Sequence, residues 1–485
     1  MATPATATLS GANRPGWGDL PAEIHEQVVN HLFDQRATLE ALITADCPAT
    51  GEALRLYWKT ATPDNDLFTL LESKPLHHRQ FFANMLRQIT INFKALDEHH
   101  EGRGLQYPRL QSLTVVHDKA LMGTEELTHA RIRRFIGPRL RTLEVGCQLH
   151  EGMNLKPTTH NFLPALSGCV DLRRLTIRAR VRGAAPGDLI RVLSNCTNLS
   201  SLDLELHSER LVDEHTIRAI AIHPVIRFLE IDKHLNLPLV SLIAKISQPF
   251  QHIISLRLCI DANAASSLLP HMKKLEMLEL TVFNNYGTPS IFPFLHTLTT
   301  LKSLYLKFHN HILKECDSTH LVPLKRLKML ELADYDEGEF FDTTLVRGEF
   351  LAAMLGSLPF LESFTLHASS TFGDAFLIAL GRNCLVLRTL TLDGRFTLEP
   401  LSRERCVLFP ALEVLELGHV DSSMPLREWG GYREAWAGGV GRSLVRHAPK
   451  LQQLWLQENG GGGLGELVRE TWEEMIGDRE GLGGV

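Results

Sequence analysis

The sequence is organised by a six-residue pattern, Leu-x-x-Leu-x-Leu, which occurs fourteen times when Ile, Val or Phe is allowed in place of Leu. The copies follow one another at near-regular spacing, with a mean period of about 28 residues. A unit of this size is too small to bury its own apolar side chains, so neighbouring units must stack to form a continuous core. The copies begin at residues 86, 110, 140, 172, 199, 226, 253, 275, 301, 327, 361, 387, 412 and 451.

Each unit contains the signals for one strand and one helix. The end of the pattern, x-Leu-x-Leu-x, alternates apolar and polar residues and predicts a short strand with one buried face. The segments between copies predict helices, for example at 187–198, 237–247, 348–358 and 373–383. The predicted fold class is therefore α/β, a solenoid of parallel strands over residues 86–458.

The position three residues before each copy is apolar in most units. It holds Cys169, Cys196 and Cys384 in three of them and Phe, Met or Leu in six others. A free cysteine in such a position packs as a small hydrophobe, so we predict that these thiols belong to the core and bind no metal. No Cys-x-x-Cys pair occurs among the eight cysteines, and their dispersal indicates a reducing compartment.

The repeats resemble the leucine-rich-repeat family, specifically its longer, helix-bearing members, and this resemblance implies a solenoid shaped as a right-handed α/β horseshoe. The form Asn-Cys-x-x-Leu-x-x-Leu-x-Leu, which begins at Asn195 and Asn383, resembles the cysteine-containing subclass. Repeats of that subclass are often found behind an F-box, a small all-α module.

Residues 19–60 lie outside the repeat and predict short helices at 19–33, 37–45 and 50–60. Their opening, Leu-Pro-x-Glu-Ile, resembles the start of an F-box. The resemblance implies that this segment docks the Skp adaptor of a cullin ubiquitin ligase. An alternative is a helical cap, because every solenoid must cover its first repeat. The adaptor contacts that the resemblance implies are Leu20, Pro21, Ile24, Val28, Leu32, Leu42 and Trp58.

The predicted domain organisation follows from these segments. Residues 1–18 are predicted to be disordered, 19–60 to form the F-box-like module, and 61–85 to form linking and capping helices. The solenoid occupies 86–458, and a Gly-rich link with a C-terminal helix occupies 459–485.

Composition excludes several functional classes. The formal net charge of −6 argues against a general binder of nucleic acid or of membrane surfaces. The opening residues 1–18 lack the basic and apolar regions of a signal peptide, and no apolar run is long enough to span a bilayer. We therefore expect an intracellular protein of the cytoplasm or nucleus.

Signatures of catalysis are missing from the sequence. It contains no GxSxG, no HExxH and no GxxxxGK[ST] motif, so we predict a protein without enzymatic activity, cofactor or metal. His309 and His311 are two residues apart, but no further ligand completes a metal site nearby. Gly460, Gly462 and Gly465 fit a dinucleotide-binding spacing, although a flexible link to a terminal helix is the favoured interpretation.

A partner is expected on the exposed face of the predicted sheet. The middle residue of x-Leu-x-Leu-x points outward there, and six of the fourteen such residues are acidic while one is basic. Neighbouring strands lie about 5 Å apart, so adjacent carboxylates add their potentials and favour a target with a basic segment. A solvated acidic surface without a partner is the alternative. The predicted target-binding residues are Glu144, Asp203, Glu205, Glu230, Asp232, Glu279, Tyr305 and Glu331.

Two further features are candidates for contact with a partner. Arg173, Arg174, Arg178 and Arg180 form a small basic patch within the array. Long intervals between copies carry aromatic residues that either anchor a partner or pack on the edge of the array itself. These aromatic residues are Phe340, Phe341, Trp429, Tyr432 and Trp436.

The resemblance and the surface together predict a non-catalytic substrate-recognition subunit of a Skp–cullin–F-box ubiquitin ligase, which holds an unknown target protein through its repeats. The alternative from another class is a leucine-rich scaffold or regulatory module whose N-terminal helices are only a cap. A GTPase-activating leucine-rich protein is a third class, for which the sequence marks no catalytic residue.

Overall fold

The computed structural model describes residues 27, 60–61, 76–92, 104–116, 126–127, 132–146, 158–205, 211–283, 290–309, 311–334, 341–368, 372–420, 432–457 and 464–482. The chain divides into two compact units. The first unit comprises Met1–Ala184 and Ser194–Leu199, and the second comprises Ala185–Leu193 and Ser200–Val485.

Parallel strands form the framework of the first unit. In chain order they are β1 (Thr60–Ala61), β2 (Gln88–Asn92), β3 (Ser112–Val116), β4 (Glu126–Leu127), β5 (Thr142–Gly146), β6 (Thr158–His160), β7 (Arg174–Arg178) and β8 (Arg180–Arg182). The main sheet of this unit has the order β1-β2-β3-β5-β7, and a small sheet has the order β4-β6-β8. The main-sheet strands from β2 onward are the predicted ends of successive copies.

Strand register in the first unit follows the repeat. Leu113 on β3 lies opposite Ile89 on one side and Leu143 on the other, and all three side chains are buried. Equivalent apolar positions of successive copies therefore stack from strand to strand, because that arrangement removes most apolar surface from water. The helices here are α1 (Leu76–Ala83) and α2 (Leu163–Leu166), while α3 (Pro186–Asn195) contributes residues to both units.

The second unit repeats the same strand arrangement. Its strands are β9 (Ser201–Leu204), β10 (Phe228–Leu235), β11 (Ser255–Asp261), β12 (Met277–Phe283), β13 (Ser303–His309), β14 (His311–Ile312), β15 (Met329–Asp334), β16 (Phe341–Asp342), β17 (Ser363–His367), β18 (Thr389–Phe396), β19 (Val414–Val420) and β20 (Gln453–Gln457). The main sheet has the order β9-β10-β11-β12-β13-β15-β17-β18-β19-β20, and β14 pairs with β16. Each of these pairings is parallel, as the repeat predicts.

Helices connect the strands of the second unit. They are α4 (Glu214–Ile222), α5 (Leu237–Ser241), α6 (Ala262–Leu268), α7 (Phe292–Leu295), α8 (Glu315–Thr319), α9 (Gly348–Gly356), α10 (Asp374–Asn383), α11 (Tyr432–His447) and α12 (Leu464–Leu482), with 3-10 turns at Ile243–Lys245, Leu269–His271 and Glu399–Arg403. The start of α4 is fixed by Asp213, whose side chain accepts a hydrogen bond from the backbone N–H of Thr216. The predicted helices at 187–198, 348–358 and 373–383 are confirmed, whereas 237–247 forms α5 followed by a 3-10 turn.

The core contains the leading residue of every copy. The position three residues earlier is part of the same core, and Cys169, Cys196 and Cys384 are buried there. Burial raises the pKa of these thiols to about 12, about 11 and about 12, respectively, which keeps them neutral and unreactive. The prediction that these cysteines are core residues is confirmed.

The pairing in the second unit shifts register at three places, between β10 and β11, between β18 and β19, and between β19 and β20, and the shift in β10 is the largest. Ile231 on β10 lies opposite Leu258, but the next pair along is His234 with Cys259, so two residues of β10 bulge out of the ladder. The bulged residues are Asp232 and Lys233. Pairing resumes at His234 and continues at Leu235, which is buried.

Candidate protein-binding face

The predicted adaptor contacts lie outside the described residues. This applies to all of Leu20, Pro21, Ile24, Val28, Leu32, Leu42 and Trp58. Their assignment stays a prediction from the sequence.

The predicted target-binding residues of the second unit form a continuous column on the outward side of its main sheet. Each residue of the column lies directly opposite the next one on the neighbouring strand. In strand order the column contains Asp203, Glu230, Arg257, Glu279, Tyr305, Glu331, Thr365, Thr391, Glu416 and Trp455. The fold therefore places most of the predicted side chains together on one surface.

Arg257 changes the electrostatics expected for this column. Its Nη1 lies 3.0 Å from Glu230 Oε1 and its Nε lies 3.1 Å from Glu279 Oε1, so one guanidinium bridges the carboxylates on both sides. Around Arg257 the acids of the column are therefore separated by a cation and do not adjoin one another. The negative electrostatic potential is weaker at this point because the guanidinium of Arg257 lies between the two carboxylates.

The column continues into a partly apolar area centred on Tyr305. Its hydroxyl donates to Met329 Sδ at 3.4 Å, and Met277 lies one strand away on the other side. Met277 is 37% exposed and Met329 is 39% exposed, so both side chains offer apolar surface to a partner. Partial burial and the nearby Glu331 carboxylate raise the pKa of Tyr305, which keeps its hydroxyl a hydrogen-bond donor.

Glu331 lies between this apolar area and a histidine–aspartate pair. His367 Nδ1 is 3.2 Å from Asp393 Oδ2. That hydrogen bond, opposed by burial and assisted by the charges of Asp393, Glu331 and Glu416, raises the pKa of His367. The face thus carries an imidazole that is protonated more readily than an ordinary histidine.

The remaining predicted residues have different surroundings. Glu144 belongs to the first unit, where its Oε2 accepts a hydrogen bond from Thr114 Oγ1 at 3.3 Å. Asp232 lies in the bulge of β10 and accepts a contact from Cys259 Sγ at 3.2 Å. Glu205 follows β9 and is half-buried. These carboxylates belong to different structural settings and do not extend the column.

A hollow of about 310 Å³ lies at the end of the column. Its walls include Glu416 and Trp455 from the sheet and Glu466 and Arg469 from α12. Trp455 is 55% exposed. The repeat pattern predicts that Glu416 and Trp455 point outward, but it does not predict the hollow, because the hollow depends on the packing of α12 beside the last strand.

The two long intervals have packed aromatic residues where the structure describes them. Phe341 is buried and stacks on Phe308, with ring centroids 5.0 Å apart. The Trp436 indole N–H donates to Glu399 Oε1 at 2.9 Å. Phe341 and Trp436 therefore both pack on the array itself. Tyr432 is 66% exposed, and Phe340 and Trp429 lie outside the described residues.

The two histidines singled out in the sequence do not form a metal site. His309 ends β13 with its ring 5.3 Å from that of Phe283, whereas His311 begins β14 and stacks on Phe308 at 4.6 Å. In the described part of the chain, no group of three or more His, Cys, Asp or Glu side chains is arranged to hold a metal ion. Nor is any helix in that part long and apolar enough to cross a membrane.

Comparisons with known proteins give likeness of fold only. No protein-family model matches the chain, and no curated protein sequence matches it. Among solved structures, the chain is similar to an internalin of Listeria monocytogenes, at 14% identity and a TM-score of 0.39, with 84% of this chain and 93% of that chain covered.

Two further solved structures are similar in the same sense. One is the leucine-rich repeat-containing protein LegL7 of Legionella pneumophila, at 11% identity and a TM-score of 0.28, with coverage of 65% of this chain and 90% of that chain. The other comes from the complex of Rad7 and Elc1 in yeast, at 15% identity and a TM-score of 0.33, with coverage of 89% and 87%. At these identities and TM-scores the likeness carries no information about function.

Proposed function

We propose that the chain is a non-catalytic substrate-recognition subunit of a Skp–cullin–F-box ubiquitin ligase. In this proposal residues 19–60 dock the Skp adaptor, the cullin core joins through that adaptor, and the repeats hold the target protein. The resemblance of Leu20, Pro21 and Ile24 to the opening of an F-box supports the first half.

The second half rests on one observation, the outward face of the second unit. It combines exposed apolar side chains, Met277 and Met329, with the hydroxyl of Tyr305 and flanking carboxylates such as Glu331. Interfaces are typically built from such a centre of Met and aromatic residues with a polar rim. The carboxylates select a target segment that carries Lys or Arg beside apolar residues.

The adaptor half is tested by co-purification of the full chain with a purified Skp adaptor. We expect Leu20→Ala with Pro21→Ala to abolish co-purification, since the loss of an apolar anchor typically weakens binding by orders of magnitude. A matched control is Leu237→Ala with Pro238→Ala, a second Leu-Pro pair, which is exposed at the start of α5. This control should co-purify like the unmutated chain.

Thermal melts separate loss of binding from loss of folding. If the N-terminal helices only cap the repeats, Leu20→Ala with Pro21→Ala should lower the melting temperature and have no other effect. An unmutated chain that does not bind the adaptor at micromolar concentration would remove the ligase proposal, and a leucine-rich scaffold would take its place.

A further inference from the structure

One repeat position differs sharply in charge between the two units. It is the residue that directly follows the leading residue of each copy. In the second unit, from copy 275 onward, residues of opposite charge at this position form three pairs across neighbouring strands. The pairs are Glu276 with Lys302 at 2.7 Å, Lys328 with Glu362 at 2.8 Å, and Arg388 with Glu413 at 3.5 Å.

In the first unit the same position carries no acid. It holds Arg87, Gln111, Arg141 and Arg173 on successive strands. Backbone hydrogen bonds of 2.7 Å link these residues in order, from Gln111 N to Arg87 O, from Arg141 N to Gln111 O, and from Arg173 N to Arg141 O. The four residues therefore form one uninterrupted row at the start of neighbouring strands.

Three more arginines adjoin this row. Arg109 and Arg139 precede the leading leucines of their copies, and the backbone N–H of Arg174 bonds to Arg141 O at 3.0 Å. All three are exposed. We call the six cations the arginine edge, which consists of Arg87, Arg109, Arg139, Arg141, Arg173 and Arg174.

Five of the six arginines of the arginine edge have no carboxylate partner among the described residues. Within the described part of the first unit, no salt bridge joins Arg87, Arg109, Arg139, Arg141 or Arg174 to a carboxylate. Asp171 lies beside the edge in sequence and is exposed, yet it forms no such pair either. Like charges opposite each other on neighbouring strands are destabilising. In the first unit no acid at this repeat position offsets the repulsion between the neighbouring Arg141 and Arg173, whereas in the second unit the neighbouring Lys302 and Lys328 are each paired with a Glu.

We propose that the arginine edge is a docking surface for an acidic segment, rich in Asp or Glu, of a partner protein. A guanidinium presents a planar fork of N–H donors that matches a carboxylate with two parallel hydrogen bonds. The row crosses four strands, a span of about 14 Å. An extended segment of about five residues covers that distance and directs three alternate side chains to the same side.

The chemistry of the edge favours a short acidic segment over nucleic acid. A polyanion longer than the edge would meet the remainder of a chain whose net charge is −6. Single strands also require exposed aromatic rings on which bases stack, and the aromatic residues closest to the edge in sequence, Tyr107 and Phe135, are buried. A short acidic segment can pair with the arginines without contacting the acidic remainder of the chain and without aromatic rings for stacking.

The inference is independent of the adaptor and of the face on the second unit. It is tested with the full chain and a fluorescent peptide containing Glu-Ser-Glu-Ser-Glu, measured by anisotropy against a peptide with Gln in place of Glu. We expect the Glu peptide to bind and the Gln peptide not to bind. Arg139→Glu with Arg141→Glu should weaken the binding by at least about tenfold.

A control variant makes the same change in net charge elsewhere. Arg326→Glu with Lys450→Glu alters two exposed cations that occupy the repeat position of Arg139 but lie in the second unit. This control should bind the Glu peptide like the unmutated chain. Equal losses in both variants would show that only total charge matters, and would overturn the proposal.

Two other ligands are measured at physiological salt. The first is the same peptide with phosphoserine in place of each Glu, and the second is a duplex DNA. Binding of the phosphoserine peptide without binding of the Glu peptide would overturn the assignment to carboxylates. Tighter binding of DNA than of the Glu peptide, lost on changing Arg139 and Arg141, would assign the edge to nucleic acid instead. Melts of both double variants confirm that the first unit is still folded.

Discussion

The carboxylate of Asp374 accepts a hydrogen bond from the backbone N–H of Leu398 at 2.9 Å. Leu398 has φ of 60°, a left-handed conformation that residues with a side chain rarely adopt, and its side chain is fully buried. Asp374 also accepts from the backbone N–H of Thr397 at 3.1 Å. Since Asp374 begins α10 and Leu398 follows β18, one carboxylate joins a helix start to a strained turn.

Replacing this carboxylate should destabilise the second unit. Asp374→Ala leaves the backbone donors of Thr397 and Leu398 without their acceptor while the turn keeps its strain, at a cost of about 2 kcal/mol in the free energy of unfolding. Urea denaturation measures this loss. Asp374→Asn keeps one carbonyl acceptor and should lose less. An Ala variant as stable as the unmutated chain would show that the turn does not depend on Asp374.

Adjacent residues of β13 should respond very differently to a new charge. Leu304 is fully buried, so Leu304→Asp removes core packing and buries an unpaired carboxylate, at a cost of several kcal/mol. Tyr305 points outward, so Tyr305→Asp should be mild. The melting temperatures of the two variants test the strand register directly. Equal losses would contradict the assignment of these residues to opposite faces.

The bridge made by Arg257 should contribute little stability but a clear dependence on salt. Arg257→Ala leaves Glu230 and Glu279 without their shared cation on an exposed surface, which should cost at most about 1 kcal/mol at low ionic strength. The difference between variant and unmutated chain should shrink in about 1 M salt, where exposed charges are screened. Denaturation at both salt concentrations provides the measurement. A difference independent of salt would attribute the effect to packing.

His311 should make the second unit less stable as the pH falls. Burial lowers the pKa of His311 from 6.5 to about 4, with smaller effects from Asp317 and Lys314. A depressed histidine pKa means that the unfolded chain takes up the proton first, so stability is fully present above pH 6.5 and is lost between pH 6.5 and 4. The loss should reach about 3 kcal/mol below that window.

The variant His311→Phe tests this pH dependence, because an apolar ring fits among Phe292, Phe308 and Phe341. Urea denaturation at pH 7 and at pH 4.5 should show a smaller decrease for the variant than for the unmutated chain. His296, which is exposed on the neighbouring repeat, gives the matched control His296→Phe. Parallel pH profiles for unmutated chain and His311→Phe would refute the assignment.

Much of the fold could be predicted from the sequence, because burial imposes the same requirement on every copy. Leu113 and Leu304 occupy the same position of their repeats and are both buried on parallel strands. The candidate face was predicted less completely. The pattern placed Glu230 and Glu279 outward, but their bridging by Arg257 depends on side-chain conformations that the pattern does not contain.

The arginine edge, too, could be predicted only in part from the sequence. Only Arg173 and Arg174 were evident as part of a basic patch, since they are adjacent in sequence. Arg87 and Arg141 join them through pairing of strands far apart in the chain. Comparing one repeat position across all copies would have revealed the row from the sequence. The small sheets β4-β6-β8 and β14-β16 carry no such signal, because their strands of two or three residues are too short for alternation.

The bulge in β10 has a consequence for how this chain tolerates changes in length. It adds two residues relative to β11, and side chains alternate sides with a period of two. Leu235 therefore returns to the buried side opposite Ile260. A bulge of two residues therefore lengthens β10 while the strand beyond it keeps the same side in the core. Evolution or engineering can extend the outward surface at this point by a pair of residues without moving Leu235 out of its layer.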